Sequence, residues 1–455
     1  MAILEQIIPS EYCATCDVCC RFLDDETPLA PVFPGNEEAL IPYRERLAQP
    51  LHAGAGFICR NFDPAANRCR NYGQRPIDCQ LYPYVIMYEH DYKHVVLGLD
   101  PKCPYVKGQG SGVKGQGAEV ARSIEKASKD IDPQYIARFQ DDVVVIKRLN
   151  AISKAAEQQP VLRKLLISDR PFFERYAAKT ERPLASHSFA YHYIWSDLLD
   201  YRWAVIDGRF CLFCKSGAGI FMPVPPLGGS IDARILKKCF SLMNSQNADR
   251  RCSRIEDIAR DDVRSFKGAG YTIQEKGCEY ICERTDVAAL AGDTYKAKRA
   301  LCNYFERHYQ FCYREFKRTD RAGCLKLYET WGSERSEAHA DTYYRALLED
   351  AYHAHRRAVA RHEGLGLIGR VVEVNGRLAA YTFGYPLDQK VFVILFEIAD
   401  VSIKGLAQYI FREFCKELDA FSQINLMDDS GLENLKKAKM SYHPVRIERV
   451  WAAYA

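Results

Sequence analysis

The sequence has no unbroken apolar run of the roughly eighteen residues that a helix needs to cross a bilayer. Its opening, "MAILEQIIPSEYC", has neither the basic start nor the long apolar segment that directs secretion. A cytoplasmic protein is the expectation. Heptads and short-period repeats are absent, so neither a coiled coil nor a solenoid is expected. Charge is nearly balanced, with Lys+Arg 63 against Asp+Glu 59 and a net charge of +4, which permits an anionic partner without requiring one. With 47% hydrophobic and 12% aromatic residues, the composition is globular rather than disordered. At 455 residues the chain exceeds one compact core and calls for at least two domains.

Cysteine, in contrast, is abundant. Of eighteen cysteines, eight precede residue 104: Cys13, Cys16, Cys19, Cys20, Cys59, Cys69, Cys79 and Cys103. In a reducing compartment such a set reads as metal ligands rather than disulfides. "CATCDVCC" packs four thiols into eight residues, and Cys59, Cys69 and Cys79 follow at ten-residue intervals. Thiolates are soft donors, and without repeated neighbouring histidines the set points to four-thiolate zinc or to iron-sulfur ligation. Adjacent side chains such as Cys19 and Cys20 diverge, which leans toward iron. A closed four-thiolate zinc site would be structural.

"CATCDVCC" with "RCRNYGQRPIDCQLYP" resembles the YkgJ-type zinc- or iron-chelating domain, over about residues 10 to 110. That resemblance implies a cysteine-bound metal centre in a small domain and leaves the metal open.

After Cys103, "PYVKGQGSGVKGQG" reads as a flexible seam, because it lacks the Lys-Ser/Thr ending of a phosphate loop. Residues 118 to 179 favour helices, with Pro160 breaking one. Beyond Ser186 strands and helices alternate. "YRWAVIDGRFCLFCK" with "AGIFMPVPPLGG" predicts a hairpin or meander and "DARILKKCFSLMNSQ" a helix. Asn375-Gly376 predicts a tight turn, and "GLAQYIFREFCKELDAF" a helix. The fold class is therefore mixed α+β and α/β in several domains. The expected divisions are 1–110, cysteine-rich; 111–184, seam and helical connector; then two mixed units at 185–330 and 331–455. Cys211/Cys214 and Cys278/Cys282 are expected in cores, and His353 and His355 at the surface.

"DTYKAKRALCNYFERHY", "LYETW", "FEIADVSIKGLAQYIFREF" and "NLMDDSGLENLKKAKMSYHP", in this order, resemble the phosphatidylglycerol lysyltransferase C-terminal family over about 185 to 455. The resemblance implies two GNAT-like units and transfer of an aminoacyl group from aminoacyl-tRNA to an amine or hydroxyl acceptor. By position, Tyr295, Lys298, Arg299 and Asn303 match one motif of the family. Asp428, Asp429, Lys439, Ser441, Tyr442 and Pro444 match its closing motif. Lys436 stands where the family has arginine, which weakens a bidentate grip there.

An aminoacyl ester is already activated, so the chemistry needs an acceptor in position, a base for its proton and donors for the oxyanion. Glu397, closing the apolar run "VFVILFE", is the candidate base, since a carboxyl beside apolar surface holds its proton more tightly. Lys439 and Tyr442 are candidates for the oxyanion or for the phosphate of the terminal adenosine. "ADVSIKGLAQ" lacks the leading basic residue and second glycine of a CoA pyrophosphate loop, so no clear CoA site is expected. Lys and Arg interleaved with aromatics around residues 296–321 suit a nucleic-acid backbone or a wet helix face alike. The acceptor, whether protein, peptide or small molecule, is open. Two further readings stand: a non-catalytic GNAT-like module with a metal or redox sensor, and an iron-sulfur enzyme whose cluster does the chemistry.

Overall fold

The computed structural model describes residues 8, 12, 19–22, 40–43, 56–66, 68–72, 75–109, 111–126, 131–158, 160–180, 184–338 and 342–455. The chain forms two units, Met1–Asp169 with Ala204–Gly208 and Arg170–Trp203 with Arg209–Ala455. Among the described residues no helix is long and apolar enough to cross a membrane.

The first unit is built of short strands. β1 (Arg21–Phe22), β2 (Leu40–Tyr43) and β3 (Gly56–Cys59) form a sheet with β3 in the centre, and β4 (Phe62–Asp63) pairs with β5 (Arg68–Cys69). After α1 (Ile77–Leu81), the apolar runs "YVIMY" and "VVLGL" become β6 (Tyr84–Tyr88) and β7 (Val95–Leu99). They pair antiparallel, and Val95, Val96 and Leu97 are fully buried.

Two expectations fail in this unit. The glycine-rich seam is helical, as α2 (Pro104–Gln109) and α3 (Ser111–Lys126). Its glycine at 117 serves close packing, because a Cβ there would lie 2.8 Å from Ile146 Cδ1. Nor is the following stretch all helix. "VVIKR" forms β8 (Val144–Arg148) on the edge of β7, since consecutive β-branched residues favour a strand. Then come α4 (Asn150–Gln158) and the two-residue β9 (Arg163–Lys164).

In the second unit α5 (Arg170–Ala177) and α6 (Phe189–Tyr193) precede an order of elements that occurs twice. First comes the expected meander β10 (Asp200–Ile206, of which Asp200 to Trp203 belong to this unit), β11 (Arg209–Ser216), β12 (Gly219–Phe221), then helix α7 (Ala233–Gln246) and β13 (Arg254–Ile258). A parallel bridge, Met222 to Ile255, joins the ends of β12 and β13. Helix α8 (Val263–Gly268) and the long β14 (Thr272–Glu283) finish the round.

Helices α9 (Arg284–Ala289) and α10 (Lys296–His308), strand β15 (Phe311–Glu315), and helices α11 (Arg321–Ala338) and α12 (Thr342–Leu365) intervene. The order then repeats as β16 (Ile368–Val374), β17 (Arg377–Pro386), β18 (Val391–Ala399), α13 (Leu406–Glu417), β19 (Gln423–Asn425), α14 (Glu433–Met440) and β20 (Arg446–Tyr454). Asn375 and Gly376, at φ 51° and 75°, make the expected turn between β16 and β17.

The last strands of the two rounds are exchanged. The eight-stranded sheet runs β13-β20-β14-β19-β18-β17-β16-β15, so β20 pairs with the first round's β13, and β14 pairs with the second round's β19. The two rounds thus share the eight-stranded sheet through β13, β14 and β20, whereas β10, β11 and β12 belong to a separate four-stranded sheet. Buried Phe392, Ile394, Phe411 and Phe414 join β18 to α13, while α11 and α12 cover the other face. Cys211 and Cys214 lie in the core as expected. His355, expected at the surface, is 5% exposed instead.

Candidate active site

Only one pair in the eight-stranded sheet is parallel. β18 and β19 run together from Val391/Gln423 to Val393/Asn425 with α13 as their crossover. β19 stops at Asn425, whereas β18 continues to Ala399. From Ile394 on, β18 therefore lacks a ladder partner on that side, and this gap past the carboxyl end of β19, here called the crevice, is where open α/β sheets bind ligands.

Glu397 reaches this crevice because β18 bulges. Against β17, Gly384 pairs with Ile394 and Phe383 with Phe396, leaving Leu395 as an extra residue. Without the bulge Phe396 would follow Phe392 and Ile394 onto the α13 face. With it, Glu397 takes that place beside Thr382, and Phe396 turns to the α12 face, where its ring centroid lies 3.8 Å from that of His355.

The Glu397 carboxyl is largely enclosed. Its Oε2 has no hydrogen-bond partner, and burial pushes the group up to about 8 against the opposing pull of Lys298. Half-buried Lys298, on α10, is held below its usual range, first by burial. Its Nζ stands 3.6 Å from the centroid of the Tyr442 ring, which packs 4.4 Å from Phe411. Burial, then Glu397, raises the Tyr442 phenol well above its ordinary value, so the ring stays neutral. Glu397, Lys298 and Tyr442 therefore share one space, floored by the buried thiol of Cys415.

The other motif residues hold backbone around that space. Tyr295 Oη donates to the Tyr442 carbonyl at 2.9 Å, just before His443 at φ 52°. Lys439 Nζ donates to the carbonyls of Leu426, at 2.6 Å, and Asp428, on either side of Met427 at φ 61°. Asp429 accepts from Tyr280 Oη at 2.5 Å and from the Gly431 amide at 3.0 Å. Arg299 donates to the carbonyls of Leu290 and Gly292, which fastens the end of α9. Ser441 bonds locally to Ala438, Asn303 is half-buried on α10, and Asp428 is exposed. Lys436 is exposed near Glu433. Positive φ at residues other than glycine costs energy and gathers at functional sites when side chains enforce it.

One charged residue near β19 escaped sequence reading. Glu279, on β14 and 6% exposed, accepts from the Ala185 amide at 3.1 and 3.0 Å and from Asn425 Nδ2 at 2.6 Å. Burial pushes it up to about 8 as well. Its partner lies 94 residues upstream, so no local spacing could mark it.

The turn into α13 carries its own anion. Asp400 Oδ1 accepts from the Ser402 amide at 2.9 Å and its hydroxyl at 2.6 Å. Gly405 answers to helix packing, because at φ 87° a Cβ would lie 2.1 Å from the Leu301 carbonyl oxygen. Lys404 Nζ rests 4.6 Å from the Tyr304 ring centroid.

In the first unit, Cys13 and Cys16 lie outside the described residues. The Cys59 amide donates to the Cys20 carbonyl at 3.0 Å, which places these residues on neighbouring strand ends. Cys19 Sγ lies 4.0 Å from Cys20 Sγ, and the Tyr82 phenol is raised by burial and then by Asp100, Cys19 and Cys103 around it. Cys69 is on β5, Cys79 on α1, and among the described residues no disulfide joins these cysteines. Soft donors from several short strands suit zinc or iron. Among the described residues no three of these sulfurs lie within 4.8 Å of one another. Glu89, Asp91 and His94 do cluster, yet Arg148 already grips Glu89 at 3.0 and 2.8 Å.

A family model described as "Phosphatidylglycerol lysyltransferase, C-terminal" matches residues 178–454. A second, described as "Putative zinc- or iron-chelating domain", matches residues 12–104. No curated protein matches the chain. Among solved structures, a conserved protein of unknown function from Bacteroides thetaiotaomicron VPI-5482 is 26% identical, with a TM-score of 0.59, over 65% of this chain and 99% of that one. L-PGS from Bacillus licheniformis is 16% identical, with a TM-score of 0.45, over 63% of this chain and 91% of that one. FemX is 9% identical, with a TM-score of 0.45, over 65% and 97%.

Proposed function

Because the chain belongs to the phosphatidylglycerol lysyltransferase C-terminal family, we propose that the crevice between β18 and β19 transfers an aminoacyl group from aminoacyl-tRNA to a nucleophilic acceptor. The observation that carries this reading is the enclosed, unpartnered Oε2 of Glu397 at the carboxyl end of the single parallel pair. A carboxyl with raised proton affinity is suited to take the acceptor's proton as nitrogen or oxygen attacks the ester carbonyl. The tetrahedral oxyanion then falls to the Lys298 ammonium and the Tyr442 hydroxyl, both beside that carboxyl. Collapse of the intermediate breaks the bond to the ribose oxygen of the donor, which takes the proton held by Glu397 and leaves as the hydroxyl.

Lys439 is assigned a different part from the oxyanion. Two of its N–H groups are spent on carbonyls, and its work is to hold the strained Met427 turn. Tyr295, Arg299 and Asp429 serve likewise as supports of the crevice wall. A CoA donor is disfavoured, because its pyrophosphate would meet the Asp400 carboxylate at the turn into α13. The acceptor stays unassigned.

For the first unit we propose that Cys13, Cys16, Cys19, Cys20, Cys59, Cys69, Cys79 and Cys103 supply the ligands of a zinc ion or an iron-sulfur centre. Bound there, the metal would contribute folding energy to a domain of short strands.

The test is direct. Charged tRNA incubated with candidate amines and hydroxyl compounds should lose its aminoacyl ester with formation of an acceptor adduct. Glu397→Gln should slow this by about a hundredfold or more. Equal rates for the two proteins would overturn the assignment of Glu397, and no adduct with any acceptor class would overturn transfer itself.

A further inference from the structure

The far side of the sheet from the crevice holds a buried polar pair with no part in the chemistry so far. His355, in the middle of α12, is 5% exposed, and Tyr381 on β17 is fully buried. Their Nδ1 and Oη share a hydrogen bond of 2.8 Å. The imidazole also lies against Phe396, with centroids 3.8 Å apart and planes at 30°, and 4.5 Å from Tyr328 of α11. Phe396 is the residue that the Leu395 bulge turns away from α13, and Glu397 follows it directly.

We propose that His355 is a positioning residue that, tied to Tyr381 and stacked on Phe396, locks the β18 bulge and thereby aims Glu397 into the crevice. The argument is geometric. A bulge leaves one residue out of the ladder, so the strand depends on side-chain packing to choose which residues face each way. Slipping the extra residue one place along β18 would put Phe396 in the crevice and Glu397 in the helical layer. Among the anchors that hold Phe396 on its side, the His355 ring lies nearest, and Phe383 stands 5.7 Å away. Tyr381 belongs to the same ladder, opposite Ile398. Its hydrogen bond therefore ties the imidazole to β17, the strand against which β18 takes its register. An apolar residue would fill the volume without the directional tie. Burial holds the imidazole down to about 3, so it stays neutral and costs no buried charge.

This inference rests on the assignment of Glu397 but has a readout that needs no substrate. The titratable groups facing Glu397 are Lys298 from α10, Tyr442 from the turn after α14, and Cys415 from α13. None lies on α12. The protonated Glu397 carboxyl is followed by its infrared C=O band, obtained as wild type minus Glu397→Gln across a pH series. In His355→Leu the band should change in intensity at neutral pH and its midpoint should move by roughly one pH unit or more, because the carboxyl leaves its native surroundings. Tyr381→Phe, which removes one oxygen, should shift it in the same direction, and it supplies the reading if His355→Leu does not fold. Tyr328→Phe loses the bond to the Leu348 carbonyl in the same core and should leave the band in place. In the transfer assay His355→Leu should lower kcat by about tenfold with KM little changed, and His355→Gln should restore part of it. An unchanged midpoint in folded His355→Leu and Tyr381→Phe would overturn the proposal, whether or not the wild type transfers. A shifted band in a wild-type protein that transfers nothing would support the positioning role and remove only the function of the crevice.

Discussion

The hydroxyl of Tyr295 donates to the carbonyl oxygen of Tyr442 at 2.9 Å, across 147 residues of chain. This bond fixes the turn that presents Tyr442 beneath Lys298 and carries His443 at φ 52°. Tyr295→Phe keeps the ring and leaves a carbonyl without this donor. The loss is expected at about 1 kcal/mol of stability. Transfer should fall by more than stability alone explains, because the Tyr442 ring is no longer registered against Glu397. Thermal melts beside initial rates check this, and a rate change no larger than the unfolded fraction would refute it.

Lys439 separates two roles that sequence alone could not. If the ammonium held a phosphate or oxyanion, Lys439→Met would impair turnover in a protein of ordinary stability. As a clamp on the Leu426 and Asp428 carbonyls, its removal should cost about 2 kcal/mol and loosen the Met427 turn. The melting temperature and hydrogen exchange of the Leu426 and Met427 amides give the answer. Wild-type stability with lost turnover would return Lys439 to the chemistry.

Glu397 also predicts a pH dependence of stability. In an unfolded chain a glutamate titrates near about 4.3, whereas in the fold burial pushes Glu397 up to about 8. Between those values the folded state keeps a proton that the unfolded state has released. Its effect is therefore absent well below about pH 4, and stability falls as pH rises toward 8. Glu397→Gln cannot ionise, so its melting temperature relative to wild type should be more favourable near pH 8.5 than near pH 5. Glu279 adds a trend of the same sign, so the slope is reduced rather than abolished. A difference between variant and wild type that is flat with pH would mean that Glu397 is ionised and solvated throughout.

How much of this was legible in the sequence depended on whether the cause was local. The β16–β17 turn could be read because Asn375-Gly376 accepts positive φ, and α7 and α13 could be read from their apolar periodicity. The carboxyl of Glu397 stood out against an apolar strand. The bulge that aims it did not, since Leu395 looks like any other member of that run. His355 passed for a surface residue because burial of α12 is decided by β17 and β18, not by its own charged neighbours. The "VKGQG" glycines suggested slack where at least one, at 117, permits a close approach. Exchange of β14 and β20 rests on pairings between distant segments, which no window along the chain contains.

The cysteine set yields the last prediction. The amide of Cys59 bonds to the carbonyl of Cys20, so the ends of β3 and β1 bring these two residues together, with Phe22, Ile58 and Phe62 packed alongside. Strands as short as β1, β4 and β5 carry little hydrophobic area, and a bound metal would supply what the small core lacks. Full-length protein purified without air should carry near-stoichiometric zinc, or iron with sulfide and a brown colour. Cys20→Ser with Cys59→Ser should lower that content, whereas Cys239→Ser, in the fully buried core of the second unit, should not. A strong chelator should bring forward the unfolding of the first unit and leave the second unit's transition in place, as calorimetry can resolve. Protein with neither metal, melting identically with and without chelator, would reduce the eight thiols to buried or surface cysteines.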